Sequence, residues 1–355
     1  MYRGMTVGVV VPAYNEEGKV GGVIEELPGF VDRAYVVDDG STDGTWAEIR
    51  TAAERRNADH DGEFEELVVP IAHDRNRGVG GAIKTGYLRA REEGIDATAV
   101  LGGDAQMDPT VLRAYLDPIA DGEAGYAKGN RFTRPADWAA MPRFRFVGNV
   151  VLSYLTKIAS GYWGLMDSQN GYTAISLAAL ETTDIEGMYE YYGYCNDLLV
   201  RLNEAGVRVA DVPRSAEYAY TDGWSSHIDL GEYVPRVSGM LLRGFARRVG
   251  RNYLITDYHP AGLLYTAGTA LSGVTALGTL GSLARRDREG SLATWLLGLA
   301  VGVAVFLYAT LLDQAANEHL EVRVPREGEE HPAETTEPEP EPAGDGETRA
   351  VEGQR

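Results

Sequence analysis

The amino-acid sequence predicts an α/β fold on a mostly parallel sheet, followed by a helical membrane hairpin and an unfolded acidic tail. Three observations carry this prediction. Short β-branched runs alternate with helix-length segments, which implies βαβ units and a sheet covered on both faces. Two long uncharged stretches come next, and the chain ends in a charged, proline-rich segment. At 355 residues, 44% hydrophobic and 24% charged, the chain is neither wholly disordered nor fibrous.

Thr6–Val11 reads as the first strand; it ends in Pro-Ala-Tyr-Asn and is too short for the apolar core of a signal peptide. Ala34–Val37, Leu67–Ile71 and Thr98–Leu101 read as further strands, with helices expected over Glu16–Leu27, Thr45–Arg56, Gly80–Glu93 and Pro109–Ala120. From Ile228 to Arg251 an apolar stripe (Met240, Leu241, Leu242, Phe245) is flanked by Arg243, Arg247, Arg248 and Arg251. That pattern suits either a helix lying in a membrane interface or an ordinary helix packed on the domain.

Pro260–Ala284 and Leu292–Leu312 carry no charge. At about 1.5 Å per residue the second spans roughly 31 Å, the thickness of a bilayer's hydrocarbon core. Arg285-Arg286-Asp287-Arg288-Glu289-Gly290 joins them, so they read as a hairpin. Gly268, Ser272 and Ala276, with Gly298 and Gly302, offer small residues at four-residue spacing, which permits close helix approach within the hairpin or between copies of the chain. Residues 313–355 hold 13 acids and 4 arginines and read as a disordered tail. A hairpin leaves both its ends on one side of the membrane, and without a secretory signal that side is expected to be the cytoplasm.

The net charge of −20 disfavours a nucleic-acid partner. Only four of the 33 basic residues are lysines, a composition suited to a salt-rich cytoplasm such as that of a halophilic archaeon. The single cysteine, Cys195, excludes an internal disulfide framework, and the six scattered histidines argue against a zinc site.

Chemistry concentrates at three expected strand ends: Val-Val-Pro-Ala-Tyr-Asn-Glu-Glu (10–17), Val-Val-Asp-Asp-Gly-Ser-Thr-Asp-Gly-Thr (36–45) and Leu-Gly-Gly-Asp-Ala-Gln-Met-Asp-Pro (101–109). Ligands of open α/β sheets bind at such ends, so Glu16, Asp38, Asp39, Asp104 and Gln106 should face one crevice. Clustered oxygen ligands point to Mg2+ or Mn2+ shared with substrate phosphates. Each piece also has a plain reading: Ser41 or Asp43 as a helix cap, and Asp108 as the N-cap before Pro109. Gly78–Gly86 superficially resembles a P-loop, but Ile83 stands where glycine is required before Lys84. Its amides and Lys84 either approach donor phosphates or simply begin a helix.

These motifs, together with Asn-Arg-Gly-Val-Gly-Gly-Ala-Ile-Lys-Thr-Gly (76–86), resemble family 2 nucleotide-sugar glycosyltransferases, and most of all the branch of dolichyl-phosphate mannose synthases and related polyprenyl-phosphate glycosyltransferases. The resemblance covers roughly residues 5–226. It implies a Rossmann-like glycosyltransferase-A domain, a nucleotide-diphosphate sugar donor and a divalent cation, Mg2+ or Mn2+. It places Pro12, Tyr14, Glu16, Val37 and Asp39 around the donor and assigns Asp104 and Gln106 to the metal; Asp38 and Lys84 join the donor set from their positions in the motifs. Where the family usually has Asp-x-Asp, the first position here is Gly102, so one ligand is lost.

On the acceptor side the resemblance puts Arg131 and Arg145 at the lipid phosphate, with Asn149 nearby; arginine's planar fork suits phosphate oxygens. Asp167, in Asp-Ser-Gln-Asn-Gly-Tyr (167–172), shapes the acceptor or sugar pocket or forms a structural turn, and Asn196-Asp197 caps a helix or touches the sugar. Thr221-Asp222 and Ser226-His227 depart from the family's closing loop, leaving His227 or Arg214 for donor closure. The expected organisation is a catalytic domain (1–227), an interfacial amphipathic region (228–256), two membrane helices within 257–312 (about 260–284 and 292–312) and a tail (313–355). The expected reaction moves a sugar from GDP-mannose or a UDP-hexose to polyprenyl (dolichyl) phosphate by one inverting displacement at the cytoplasmic face of the cell membrane. Two alternatives stand beside it: extension of a lipid-linked oligosaccharide with Asp167 or Asp197 as base, and a non-catalytic nucleotide-sugar-binding scaffold.

Overall fold

The computed structural model describes residues 1–133, 143–214, 230–285 and 289–324. Four strands come early: β1 (Val7–Ala13), β2 (Arg33–Asp38), β3 (Val68–Ala72) and β4 (Ala97–Val100). β5 (Tyr126–Asn130), β6 (Thr173–Ser176), β7 (Val209–Pro213) and β8 (Glu321–Arg323) complete one sheet in the order β3-β2-β1-β4-β6-β5-β7-β8. β6 runs antiparallel to both its neighbours; the other pairs are parallel. Alternation along β1 sends Val7, Val9 and Val11 into one buried cluster and Val10 into the other, where Tyr35, Val37 and Val100 join it. Apolar residues on both faces are what a sheet covered on both sides requires.

The covering helices are α1 (Val20–Glu25), α2 (Thr45–Ala58), α3 (Val79–Glu92), α4 (Leu112–Ala120), α5 (Arg143–Ser160), α6 (Leu177–Thr182) and α7 (Tyr194–Glu204). α1 is shorter than expected, because Tyr14–Lys19 form a turn instead of a helix. Before α4, Asp108 caps a short 3-10 turn by accepting from the Thr110 amide at 2.8 Å.

The expected boundaries after residue 227 need two corrections. The stripe on α8 (Leu230–Arg248) is in part core: Val237, Met240 and Leu241 are buried with Ala159 of α5 and Val200 of α7, while Leu242 stays exposed. The tail does not begin at 313. After α9 (Pro260–Arg285), α10 (Glu289–Asn317) runs past Asp313, and the chain then forms β8 and pairs with β7. A charge after an apolar run reads as the end of a segment; here Asp313 is fully buried against Arg248, so the helix continues through it. The far end of the α9–α10 hairpin therefore returns to the sheet. Residues 325–355 lie outside the described residues.

Pro260–Ala284 and Leu292–Leu320 are long and apolar enough to cross a membrane. Only 17% and 11% of their most apolar stretches are buried, unlike the core helices of a soluble domain. The small-residue stripe serves the contact between α9 and α10. A Cβ on Gly268 would fall 2.7 Å from the Phe306 amide, and one on Gly302 would fall 2.7 Å from the Ser272 amide.

Candidate active site

β1 has β2 on one side and β4 on the other, so the strand order reverses there and the carboxyl ends of all three open onto one crevice. The ends abut: the Asp39 amide donates to Ala13 O at 2.8 Å, and the Gly103 amide donates to Pro12 O at 3.1 Å. Pro12 and Val37 are paired in register across β1 and β2, and Tyr14 stands exposed at the rim.

The first two turns are laced together. Asn15, with a left-handed φ of 55°, receives the Thr42 amide on its side-chain oxygen and gives its own amide to Ser41 Oγ, both at 2.9 Å. The Glu16 amide donates to Thr45 Oγ1 at 2.8 Å. Asp43 accepts from the Thr45 amide at 3.0 Å, as a residue opening α2 should. The Ser-Thr-Asp-Gly-Thr stretch is thus a helix start and also the brace that holds the first turn.

The two aspartates of the second turn divide their duties. Asp39 takes three donors: the Arg77 amide at 2.9 Å, the Gly78 amide at 2.7 Å and His73 Nδ1 at 2.7 Å. Beside it, Asp38 is buried, and among the described residues its Oδ1 has no hydrogen-bond partner. A buried carboxylate oxygen without a donor is costly unless a ligand supplies one.

The third turn carries Asp104 and Gln106. Ala105 has φ 58°, and Asp104 Oδ1 accepts from the Gln106 amide at 3.2 Å. A Cβ on Gly102 would fall 2.8 Å from that same Oδ1, so the glycine in place of the usual aspartate leaves Asp104 room to lie in the turn. Lys19 pairs with Glu16 at 2.7 Å; its pKa is raised first by that bond, with Asp104 also contributing. The Tyr192 phenol is pushed up by burial and then by the carboxylates of Glu16 and Asp104. Glu16, Asp104, Lys19 and Tyr192 thus share one electrostatic neighbourhood. Lys19 and Tyr192 are additions to the expected set; the Tyr-Glu-Tyr-Tyr run at 189–192 was the visible signal for the second.

Lys84 is committed elsewhere: its ammonium bonds Glu190 at 2.8 Å and the Glu186 carbonyl at 3.1 Å. Two of the amides at the start of α3 are likewise taken, Gly78 N by Asp39 and Gly81 N by the Glu190 carbonyl at 2.9 Å. Of the two readings of the glycine-rich run, the geometry matches a helix start. Gly86 lets α3 approach β1 so closely that a Cβ would collide with Val10.

At the end of β5, Arg131 meets Asp167 through a two-pronged pair, Nε to Oδ2 and Nη2 to Oδ1, both at 2.8 Å, and its amide adds a third bond at 3.0 Å. Asn170 Nδ2 donates to the same carboxylate at 3.1 Å. Burial works against the Asp167 charge, yet the Arg131 guanidinium, with Lys128, holds its carboxyl down to about 2. Asp167 is fully buried, whereas the Arg131 side chain keeps 18% of its surface exposed.

Asp197 is buried and bonds Arg201 Nε at 2.7 Å and the Tyr189 amide at 2.9 Å, so it braces α7. Asn196 donates to Ser168 Oγ at 2.9 Å, within the same loop as Asp167. Arg214, after β7, lies over the Tyr172 ring at 5.1 Å and reaches both Asn170 Oδ1 and the Gln106 carbonyl at 3.4 Å, joining the Asp167 loop to the Asp104 turn. Asn149 is on α5, and Arg145 begins that helix, but the Arg145 side chain lies outside the described residues, as do Thr221, Asp222, Ser226 and His227.

Residues 8–183 match the profile of glycosyl transferase family 2. The chain is 31% identical over 228 residues to UDP-N-acetylglucosamine–dolichyl-phosphate N-acetylglucosaminyltransferase of Methanococcus voltae, covering 63% of this chain and 90% of that protein. It belongs to glycosyl transferase family 2. This family 2 chain is also 30% identical over 217 residues to polyprenol monophosphomannose synthase of Mycolicibacterium smegmatis, covering 58% of this chain and 75% of that one. Among solved structures, glucosyl-3-phosphoglycerate synthase of Mycobacterium tuberculosis, bound to Mn2+, UDP and glucosyl-3-phosphoglycerate, is similar at a TM-score of 0.48 and 18% identity, covering 69% and 80% of the two chains. The α/β fold on a mostly parallel sheet expected from the sequence is the one found, and the chain is an enzyme of the glycosyltransferase class.

Proposed function

We propose that this family 2 enzyme moves one sugar from a nucleotide-diphosphate sugar, GDP-mannose or a UDP-hexose, to polyprenyl (dolichyl) phosphate with inversion at the anomeric carbon. The observation that carries this reading is the pairing of two unlike sites on one edge of the sheet. One is an acidic turn at the strand-order reversal; the other is an arginine held by a buried aspartate, and Arg214 links the two. The named activities of the lipid-phosphate-using relatives support it.

On the donor side, the orphaned Asp38 Oδ1 is suited to receive an N–H donor of a nucleobase. Among the described residues no set of three or more His, Cys, Asp or Glu side chains surrounds a cation-sized site. The donor chemistry still fits Mg2+ or Mn2+, which are commonly held by one or two protein oxygens with substrate phosphates completing the shell. Asp104 and Gln106 would hold it, and the bound cation would supply charge stabilisation at the departing nucleotide diphosphate.

The acceptor needs no base, because a phosphate monoester is largely ionised at neutral pH with a second pKa of about 6. Arg131, oriented by Asp167, would grip its oxygens and hold one in line with the anomeric carbon. This chemistry also weighs against oligosaccharide extension. That reaction requires a carboxylate base; Asp167, held at about 2 by Arg131, is a weak one, and Asp197 is buried with its carboxylate bonded to Arg201 and the Tyr189 amide.

The exposed apolar faces of α9 and α10 support a bilayer-spanning hairpin, which would bring the crevice to the headgroup level where a polyprenyl phosphate resides. The cytoplasmic face of the cell membrane is the side proposed for the catalytic domain, since nucleotide sugars are made there. Incubating membranes that contain the full chain with labelled GDP- and UDP-sugars, polyprenyl phosphate and Mg2+ or Mn2+ should yield a chelator-sensitive glycolipid. Absence of product with every donor would sink the proposal.

A further inference from the structure

β8 follows the hairpin after one 3-10 turn (Glu318–Leu320), and it is tied to the acceptor side of the enzyme. Glu321 pairs in register with Val209 of β7, and both its carboxylate oxygens receive the Gly164 amide at 2.8 Å. Gly164 lies three residues before Asp167. Between them, Met166 is held from the other side: its carbonyl accepts from Lys128 Nζ at 2.5 Å, and its amide reaches Asp211 Oδ2 at 3.4 Å. Lys128 and Asp211 are themselves paired at 2.6 Å. Lys157, near the end of α5, donates to the Trp163 carbonyl at 2.6 Å. Every residue from Trp163 to Asp167 except Leu165 thus has a hydrogen-bonded or ionic tie to another element, and the segment ends at the carboxylate that orients Arg131. A Cβ on Gly164 would collide with the Glu321 carboxylate, so this close contact requires glycine there.

We propose that Glu321, on the strand returning from the hairpin, is a positioning residue of the acceptor site: by holding the Gly164 amide it sets the 163–167 segment and, through Asp167, the guanidinium of Arg131. The proposal rests on the reading of Arg131 as the phosphate-binding arginine. It makes the return from the hairpin part of the catalytic apparatus in addition to being the end of an anchor. Glu321 does not touch substrate; it acts through the three peptide bonds from Gly164 to Asp167 and an ion pair.

The test uses the full chain in lipid nanodiscs and the variants Glu321→Ala, Glu321→Gln and Gly164→Ala. Gly164 is not in the left-handed region, so alanine there is conformationally permitted and acts only by displacing Glu321. Kinetics with polyprenyl phosphate should show an acceptor KM raised about tenfold by Glu321→Ala and Gly164→Ala, since small misplacements at a binding site carry penalties of this order or more. The donor KM should stay unchanged, and Glu321→Gln, which keeps one acceptor oxygen, should recover part of the loss. Without any substrate, amide exchange in 163–167 should quicken in the same two variants. Donor and acceptor KM rising together, or an active Glu321→Ala enzyme with unchanged exchange in 163–167, would overturn the assignment. A parent protein that makes no glycolipid would instead sink the functional reading on which it rests.

Discussion

Two arginine–aspartate pairs, one at the end of β5 and one at the base of the hairpin, have nearly the same geometry and opposite surroundings. Arg131 and Asp167 meet prong to prong at 2.8 Å. Arg248 and Asp313 do the same, with Nη1 and Nη2 each 2.8 Å from a carboxylate oxygen. Around the second pair the site is sealed. Arg248 also donates to the Ala159 and Ile158 carbonyls, Asp313 also accepts from the Tyr265 hydroxyl at 3.0 Å and from Asn317 at 2.8 Å, and Tyr253 bonds it as well. Neither side chain has any exposed surface. At the end of β5 only the aspartate is sealed, and the arginine keeps a face to solvent. A fully satisfied buried pair can only hold elements in place. Beside a buried anion, the partly exposed guanidinium of Arg131 has the arrangement that the proposed acceptor role requires.

The comparison can be broken most forcefully at its sealed end. Asp313→Ala leaves the Arg248 guanidinium buried without its counter-charge, and such breakage costs about 3–5 kcal/mol. Thermal unfolding of the full chain in detergent should drop accordingly; a loss below about 1 kcal/mol would mean water reaches the pair. For the same reason, removing residues 257–355 should yield an aggregating protein instead of a soluble domain, because it strips Asp313 from Arg248 and β8 from β7.

Next in size is Asp104→Asn, which should lower turnover by about 10²–10³-fold, the range seen when one electrostatic stabiliser of a transition state is removed. The melting temperature should barely move, since Asp104 is partly exposed and makes one local hydrogen bond.

At the open pair, Arg131→Lys keeps the charge and loses the fork. Acceptor kcat/KM should fall about tenfold with the donor KM unchanged. Acid should dissolve this pair late. The folded pKa of Asp167, about 2, lies below its ordinary value of 3.8, so its contribution is complete above about pH 4 and is lost as pH falls towards 2. Unfolding midpoints across that window should converge for the parent and Arg131→Lys at the acid end.

The smallest effect is expected from Gly102→Asp. Its Cβ displaces the Asp104 carboxylate from the turn while adding a second carboxylate, so Mn2+ affinity should rise several-fold, measured by calorimetry with nucleoside diphosphate present. Weaker binding would show that Asp104 needs its place in the turn.

Much of this was legible in the sequence because it is local. β1 to β4 show as short apolar runs, and the acidic turns show because their residues are contiguous. The uncharged length of α9 and α10 is a property of the segments alone. What escaped was every relation across long separations. Lys84 looked available to phosphate until Glu190 appeared beside it. The stripe on α8 had two consistent readings, and only packing on Ala159 and Val200 showed that Met240 and Leu241 belong to the core. Asp313 looked like the first residue of a tail.

By itself, then, the sequence determined the class of fold, the three acidic turns at one end of the sheet and the apolar hairpin, since periodicity, turn chemistry and charge are written residue by residue. Only the tertiary structure decided which charges are partners: Arg131 finds Asp167 across 36 positions and Arg248 finds Asp313 across 65. An isolated charged residue carries no mark of its future neighbour, because in the extended chain water satisfies every such group equally. The need for a specific partner arises only when folding takes that water away.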